Sequence, residues 1–204
     1  MELPKLKIWS EIIAIWVTVV GIFVGGTFAL VEYYDNKKSD QIRVTLNYVD
    51  RFNKAPILDV RSRIDSFWYA RSKTIFKKAD AGEDELIQFI LNTIQENELE
   101  KDTDLLISYY DGIEICTCGK LCDPVTVKRY FSKQAYDLYG LYYPYLVQKR
   151  NELKDETYGL ALELVAGSHG SEENFFDMIC RSNNSFKSDA NKRRSFLARL
   201  FGTA

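Results

Sequence analysis

From Ile12 to Val31 the chain reads IIAIWVTVVGIFVGGTFALV, a run without a single charge. As a helix, about 20 residues rising about 1.5 Å each span about 30 Å, which is the thickness of a bilayer's hydrocarbon core. A soluble core helix of that length carries a polar stripe. Here only Thr18 and Thr27 interrupt the run, and their hydroxyls can bond back to the helix's own carbonyls. Trp9 and Trp16 near the start, and Tyr33 and Tyr34 at the finish, are the aromatic types that settle at membrane–water interfaces. Glu11 and Glu32 fall at headgroup depth, where a carboxylate stays solvated. A cleaved signal would need a processing site after Ala29, with Thr27 two residues before it. The apolar run is longer than a signal's usual core, so an uncleaved anchor is expected.

Cationic residues flank the run unequally. Lys5 and Lys7 precede it; Lys37, Lys38, Arg43 and Arg51 follow it. Lysine and arginine concentrate on the cytoplasmic side, so the expectation is a single-pass protein of the inner (cytoplasmic) membrane with its domain in the cytoplasm. The cysteines enter the same argument. Four in 204 residues do not make a disulfide scaffold, and free thiols suit the reducing cytosol.

Small side chains recur along the anchor. Ser10, Ala14, Thr18, Gly21, Gly25 and Ala29 are three or four residues apart and share one helix face, with a GxxxG step at Gly21–Gly25. In lipid there is little hydrophobic drive between helices, and close backbone approach favours their association. The stripe therefore predicts a seam for other membrane-protein subunits or for a second copy of the chain.

The remainder reads as all-α. The expected domains are 1–38 (flank and anchor, the anchor at about 12–31), 39–181 (helical domain) and 182–204 (polar linker and basic amphipathic helix). Ser39 or Asp40 is the expected cap of a helix to Lys54, with Ile42, Leu46, Val49 and Phe52 at 3–4 spacing. Pro56 opens the next helix, which places Ile57, Val60, Ile64, Phe67 and Trp68 on one face and ends at Ala81-Gly82. Asp84–Glu96 forms a third. Glu98 to Asp104 reads as an acidic connector, with Thr103 capping a helix over Asp104–Cys116. Asp123-Pro124 is a helix start, and that helix runs to Lys154 with a kink near Pro144. Helices at Glu156–Ala166, Glu172–Cys180 and Asn191–Phe201 follow.

The segments LNYVDRFN, LLISYYDGIEICTCGKLCDPVTVKRYF and LYYPYLVQKRNE follow the anchor in that order. Together they resemble a family of uncharacterised bacterial single-pass membrane proteins. Tyr109-Tyr110-Asp111-Gly112-Ile113, Leu121–Phe131, Tyr143-Pro144-Tyr145 and Arg150 occupy its motif positions. The resemblance covers about half the chain and implies a helical cytosolic domain on a membrane tether. It implies no activity.

Chemistry-bearing patterns are sparse. Cys116, Cys118 and Cys122 form CxCxxxC, and Cys180 supplies a fourth sulfur, so four thiolates around the turn at Gly119 make a candidate zinc or iron–sulfur set. The spacing lacks CxxC knuckles, and small buried thiols at the end of a helix are the favoured reading. A redox-sensing thiol beside Lys120 is a third option. His169, the one histidine, follows Ser168, but adjacent Ser and His do not make a triad and no GxSxG elbow is present. The acids Glu96, Glu98, Glu100, Asp102 and Asp104 lack the EF-hand glycine and terminal glutamate. No P-loop, dinucleotide fingerprint or HExxH occurs. With a net charge of −2, no global basic field recruits nucleic acid.

Near the C-terminus, Lys192, Arg193, Arg194 and Arg199 alternate with Phe196, Leu197, Leu200 and Phe201, the pattern of a helix lying on an anionic leaflet or docked on its own domain. The reading that results is a non-enzymatic accessory or scaffold protein, without a cofactor, that binds other proteins through anchor and domain. A membrane-tethered cysteine metal or redox sensor is one alternative. An oligomerising stress or phage-defence membrane effector is the other.

Overall fold

The computed structural model describes residues 3–171 and 174–181. Its elements are seven helices: α1 (Leu3–Phe52), α2 (Ile57–Ala81), α3 (Glu83–Glu96), α4 (Glu100–Cys118), α5 (Pro124–Leu153), α6 (Leu160–Gly167) and α7 (Phe175–Arg181). No strand occurs among the described residues, so the all-α expectation holds there. The chain divides into two units, Met1–Gln41 and Ile42–Ala204.

The first unit contains the apolar run. It lies on a helix long and apolar enough to cross a membrane, none of whose apolar window is buried by the protein. Ile22, Phe23 and Phe28 are 69%, 71% and 72% exposed. Thr27 donates its hydroxyl back to the Phe23 and Val24 carbonyls at 3.0 and 2.8 Å, which satisfies its hydroxyl within the helix. The expected cap at Ser39 or Asp40 is not used, because α1 continues through it to Phe52. No glycine or proline stands between Leu30 and Phe52 to break the backbone, and a capping residue without a breaker is not a stop.

The second unit is a helical bundle whose core draws Ile64 and Trp68 from α2, Ile90 and Ile94 from α3, Leu106 and Tyr110 from α4, and Phe131 and Tyr142 from α5. Breaks between helices follow local chemistry. Gly82 separates α2 from α3 at φ 139, a backbone setting that disfavours any residue with a Cβ. Between α3 and α4, Glu98 turns the chain at φ 54 and the buried Leu99 pins it. The acidic connector is corrected here. Glu100 and Asp102 occupy the first turn of α4, where the partial positive charge of the helix end favours carboxylates. Thr103 does not cap that helix; its buried hydroxyl donates to the Leu99 carbonyl at 2.9 Å.

Asp102 grips Arg63 of α2 through two bonds of 2.6 Å each. Asp104 accepts from the Tyr145 hydroxyl at 2.8 Å and also from the Tyr158 hydroxyl. The start of α4 is thereby bound to α2, to α5 and to the turn after α5.

Asp123 caps α5 as its position before Pro124 predicts, accepting from the Thr126 amide at 2.8 Å. Its own amide donates to the buried Thr45 hydroxyl of α1 at 2.8 Å. Pro144 lies inside α5, which runs on to Leu153. The expected helix at Glu156–Ala166 begins only at Leu160. Asp155 instead accepts from the Thr157 amide at 2.9 Å and hydroxyl at 2.6 Å, closing a side-chain turn, and Gly159 follows at φ 68. Arg150, 9% exposed, fastens this turn by donating to the Tyr158 carbonyl at 2.8 Å and to Glu163 at 2.9 Å.

Gly159 resists replacement. A Cβ there would stand 2.6 Å from Leu146 Cδ2, and the backbone already has positive φ. Gly159→Ala is expected to lower the stability of the full chain by about 1–3 kcal/mol, from overpacking and backbone strain together. Urea denaturation followed by circular dichroism reads this out. Gly159→Ala combined with Leu146→Ala relieves the steric clash and leaves the backbone strain, so the double variant falls short of the sum of the two single losses.

Candidate functional site

The cysteine cluster forms where α4 ends. Gly119 follows its last helical residue, and its amide donates to the Ile115 carbonyl at 2.9 Å. Lys120 turns the chain at φ 58, and the amides of Leu121 and Cys122 both return to the Cys116 carbonyl, at 2.9 and 3.1 Å. This tight reversal brings Cys122 back beside Cys116. The two are joined by a disulfide with a Cα–Cα distance of 5.2 Å. Cys118, two residues beyond Cys116, is joined to Cys180 of α7 at 5.3 Å.

No free cysteine remains among the described residues. The expectation of free, buried thiols is therefore corrected. The candidate metal set of Cys116, Cys118, Cys122 and Cys180 falls with it, since a sulfur held in a disulfide carries no thiolate to donate. No group of three or more potential ligands converges elsewhere among the described residues. The sulfurs have a bracing role: one bond closes the α4–α5 turn, and the other fixes the short helix α7 to the end of α4.

On the anchor, Thr18, Gly21, Gly25 and Ala29 are all exposed. A Cβ added at Gly21 or Gly25 meets nothing within 4 Å. Gly21 and Gly25 are therefore open on the side where a Cβ would stand. Ser10 and Ala14 lie on the same helix, α1. Lys192, Arg193, Arg194, Phe196, Leu197, Arg199, Leu200 and Phe201 lie outside the described residues.

Ser168 and His169 are not brought into a catalytic arrangement. The Ser168 hydroxyl is buried and donates to the Val165 carbonyl at 2.6 Å. The His169 ring packs against Tyr136, with centroids 5.2 Å apart.

A cavity of about 370 Å3 opens between α2, α4, α5 and the end of α1. Its walls are apolar and aromatic, with Phe52, Trp68, Leu106, Tyr110, Leu138 and Leu141 among them. Trp68 donates its indole N–H to the Tyr142 hydroxyl at 2.8 Å, so that wall has its polar atoms paired. Arg61 and Gln134 also line the cavity, although one polar atom of each has no surface open to it. Arg61 Nη1 and Gln134 Oε1 are buried and have no hydrogen-bond partner in the protein. The guanidinium rests on the Phe52 ring, 4.5 Å from its centroid, which orients it while leaving that nitrogen unpaired.

Two carboxylates, Asp65 and Asp137, line the same cavity from exposed positions. Partial desolvation pushes the Asp65 carboxyl above the usual range, Arg61 opposes the shift, and Asp137 adds to it. Burial likewise holds the Tyr110 phenol neutral far above its usual range. Arg61, Gln134 and the rim carboxylates Asp65 and Asp137 thus border an otherwise apolar chamber. The sequence gives little warning of it, since Arg61, Asp65, Gln134 and Asp137 come from two helices distant along the chain. The only local hint is the four-residue step from Arg61 to Asp65 on one helix face.

Peptide mapping under non-reducing conditions is expected to recover the pairs Cys116–Cys122 and Cys118–Cys180. The second spans 62 residues and the first 6. If loop closure dominates, Cys118→Ser destabilises the chain by about 2 kcal/mol more than Cys116→Ser. Comparison with known proteins finds no matching family model, no matching curated protein and no matching solved structure.

Proposed function

We propose that this protein is a single-pass, membrane-anchored binding module, an accessory subunit or scaffold rather than an enzyme. The exposed apolar helix of the first unit carries this reading. Side chains such as Ile22, Phe23 and Phe28, each more than two-thirds exposed, are stable in water only when lipid or another helix covers them. The second unit supports the same reading. Its one serine–histidine neighbour pair is spent on packing, and its sulfurs are bound to each other.

The small-residue stripe is the proposed seam to other membrane subunits or to a second copy. Because Gly21 and Gly25 touch nothing in the protein itself, leucine at both positions leaves the anchor intact and alters only what docks on it. Gly21→Leu combined with Gly25→Leu is expected to strip co-purifying subunits, or to shift a homo-oligomer to monomer, in native mass spectrometry from mild detergent. An unchanged assembly removes the seam from the proposal.

Two observations bear on topology, and they point in opposite directions. The cationic residues after the anchor favour a cytoplasmic domain. The pairing of all four cysteines favours an oxidising compartment, where disulfides form and persist. The charge bias is modest, two cations before the anchor against four after it. We therefore place the domain on the oxidising side of the membrane, with Lys5 and Lys7 on the cytoplasmic side. Intact cells treated with a membrane-impermeant maleimide after mild reduction are expected to show labelled domain cysteines. Thiols that label without reduction, and only after the membrane is opened, would return the domain to the cytoplasm.

A further inference from the structure

The two disulfides at the end of α4 sit in unlike surroundings. Cys116 and Cys122 are 3% and 1% exposed, so their bond lies within the core. Cys118 and Cys180 are only partly buried. Cys118 is the last residue of α4, and Gly119 and Lys120 beyond it are both exposed. Thiol–disulfide exchange needs an incoming thiolate to reach a sulfur, so a reductant in solution meets the Cys118–Cys180 bond first.

The two bonds also hold different things. Cys116 and Cys122 are six residues apart, and their bond closes the turn between α4 and α5. That turn has other support, from the Leu121 and Cys122 amides on the Cys116 carbonyl and from the Asp123 amide on Thr45. Cys118 and Cys180 are 62 residues apart, and their bond ties α7 to α4. With seven residues, α7 is well short of the roughly 12–15 that a helix needs to persist alone in water. What remains to hold it without the bond includes the burial of Phe175 and Ile179. Just before it, Lys128 donates to the Ser171 carbonyl at 2.6 Å.

We propose that Cys118–Cys180 is a redox latch on α7, opened by a dithiol reductant while Cys116–Cys122 stays closed. A thiolate of the reductant attacks one sulfur of the pair, forming a mixed disulfide and releasing the other sulfur as a thiolate. The second thiol of the reductant, as thiolate, then displaces the remaining cysteine sulfur. Cys118 and Cys180 end as thiols, having gained two electrons and two protons, and the reductant ends as its own disulfide. The open latch lets α7 lift from the end of α4. The inner bond and the hydrogen bonds of the turn keep α4 and α5 together meanwhile, and reoxidation closes the latch again. The inference rests on the cysteine pairing and is independent of the membrane reading.

The test is stepwise reduction of the full chain in detergent. The folded protein is treated with dithiothreitol for increasing times, quenched with iodoacetamide and mapped by peptide mass spectrometry. Cys118 and Cys180 are expected to become alkylated about tenfold faster, or more, than Cys116 and Cys122. When only the outer pair is open, amide hydrogen exchange is expected to quicken about tenfold or more in α7 and to stay unchanged in α5. Cys118→Ser combined with Cys180→Ser is expected to show the same fast exchange of α7 with no reductant present. Equal alkylation of the two pairs, earlier alkylation of Cys116 and Cys122, or unchanged exchange in α7 after the outer pair opens overturns the latch. So does lost protection in α5 at that stage, which is unfolding of the bundle rather than release of one helix. If the double variant does not fold, the stepwise reduction decides alone.

Discussion

Phe52 is the point through which the helical domain is tied together. It is 3% exposed, at the last residue of α1, and its ring meets Tyr109 at 5.2 Å, Tyr110 at 6.3 Å and Phe131 at 5.3 Å. Edge-on and tilted aromatic packing of this kind adds to the hydrophobic gain from burial. The same ring carries the Arg61 guanidinium. One side chain therefore joins α1 to α4 and α5 and orients the cation of α2 that lines the cavity. Chain architecture and site chemistry share a single residue.

Around that knot, polar contacts act as clamps at the ends of helices rather than as extra core. Asp104 receives two tyrosine hydroxyls, Asp102 receives a forked arginine, Asp123 caps α5 and donates its amide to Thr45, and Arg150 holds the turn at Tyr158. Each fixes where a helix begins or ends, which the apolar faces alone leave free to slide. The two disulfides work to the same purpose at the junction of α4, α5 and α7. Bracing of this density keeps a cavity open, since a loosely held bundle would collapse onto it.

What was legible in the sequence is what short-range chemistry determines. The apolar run is a single long helix, Asp123-Pro124 starts α5, and Gly82 separates α2 from α3, because each depends on neighbours within a turn or two. Ser39 and Asp40 misled because capping residues act only where the backbone is also released. The run of acids misled because carboxylates suit a helix start as well as a solvated linker. The cysteine pairing was beyond reach: four cysteines allow three pairings, and only the reversal at Gly119-Lys120 selects between them. The cavity was hidden for the same reason, since its polar groups become neighbours only when α2 packs beside α5.

Local rules agree along most of the chain, which makes the two places where they are broken informative. One is the anchor, where large apolar side chains face outward against every preference of a protein in water. The other is the pair Arg61 and Gln134, where buried polar atoms lack partners although Asp65 lies one turn from Arg61. A sequence selected for stability alone would replace both with aliphatic residues, as buried polar groups are commonly exchanged at no loss. At the anchor, lipid or a neighbouring helix would relieve the conflict, as the proposed membrane anchoring requires.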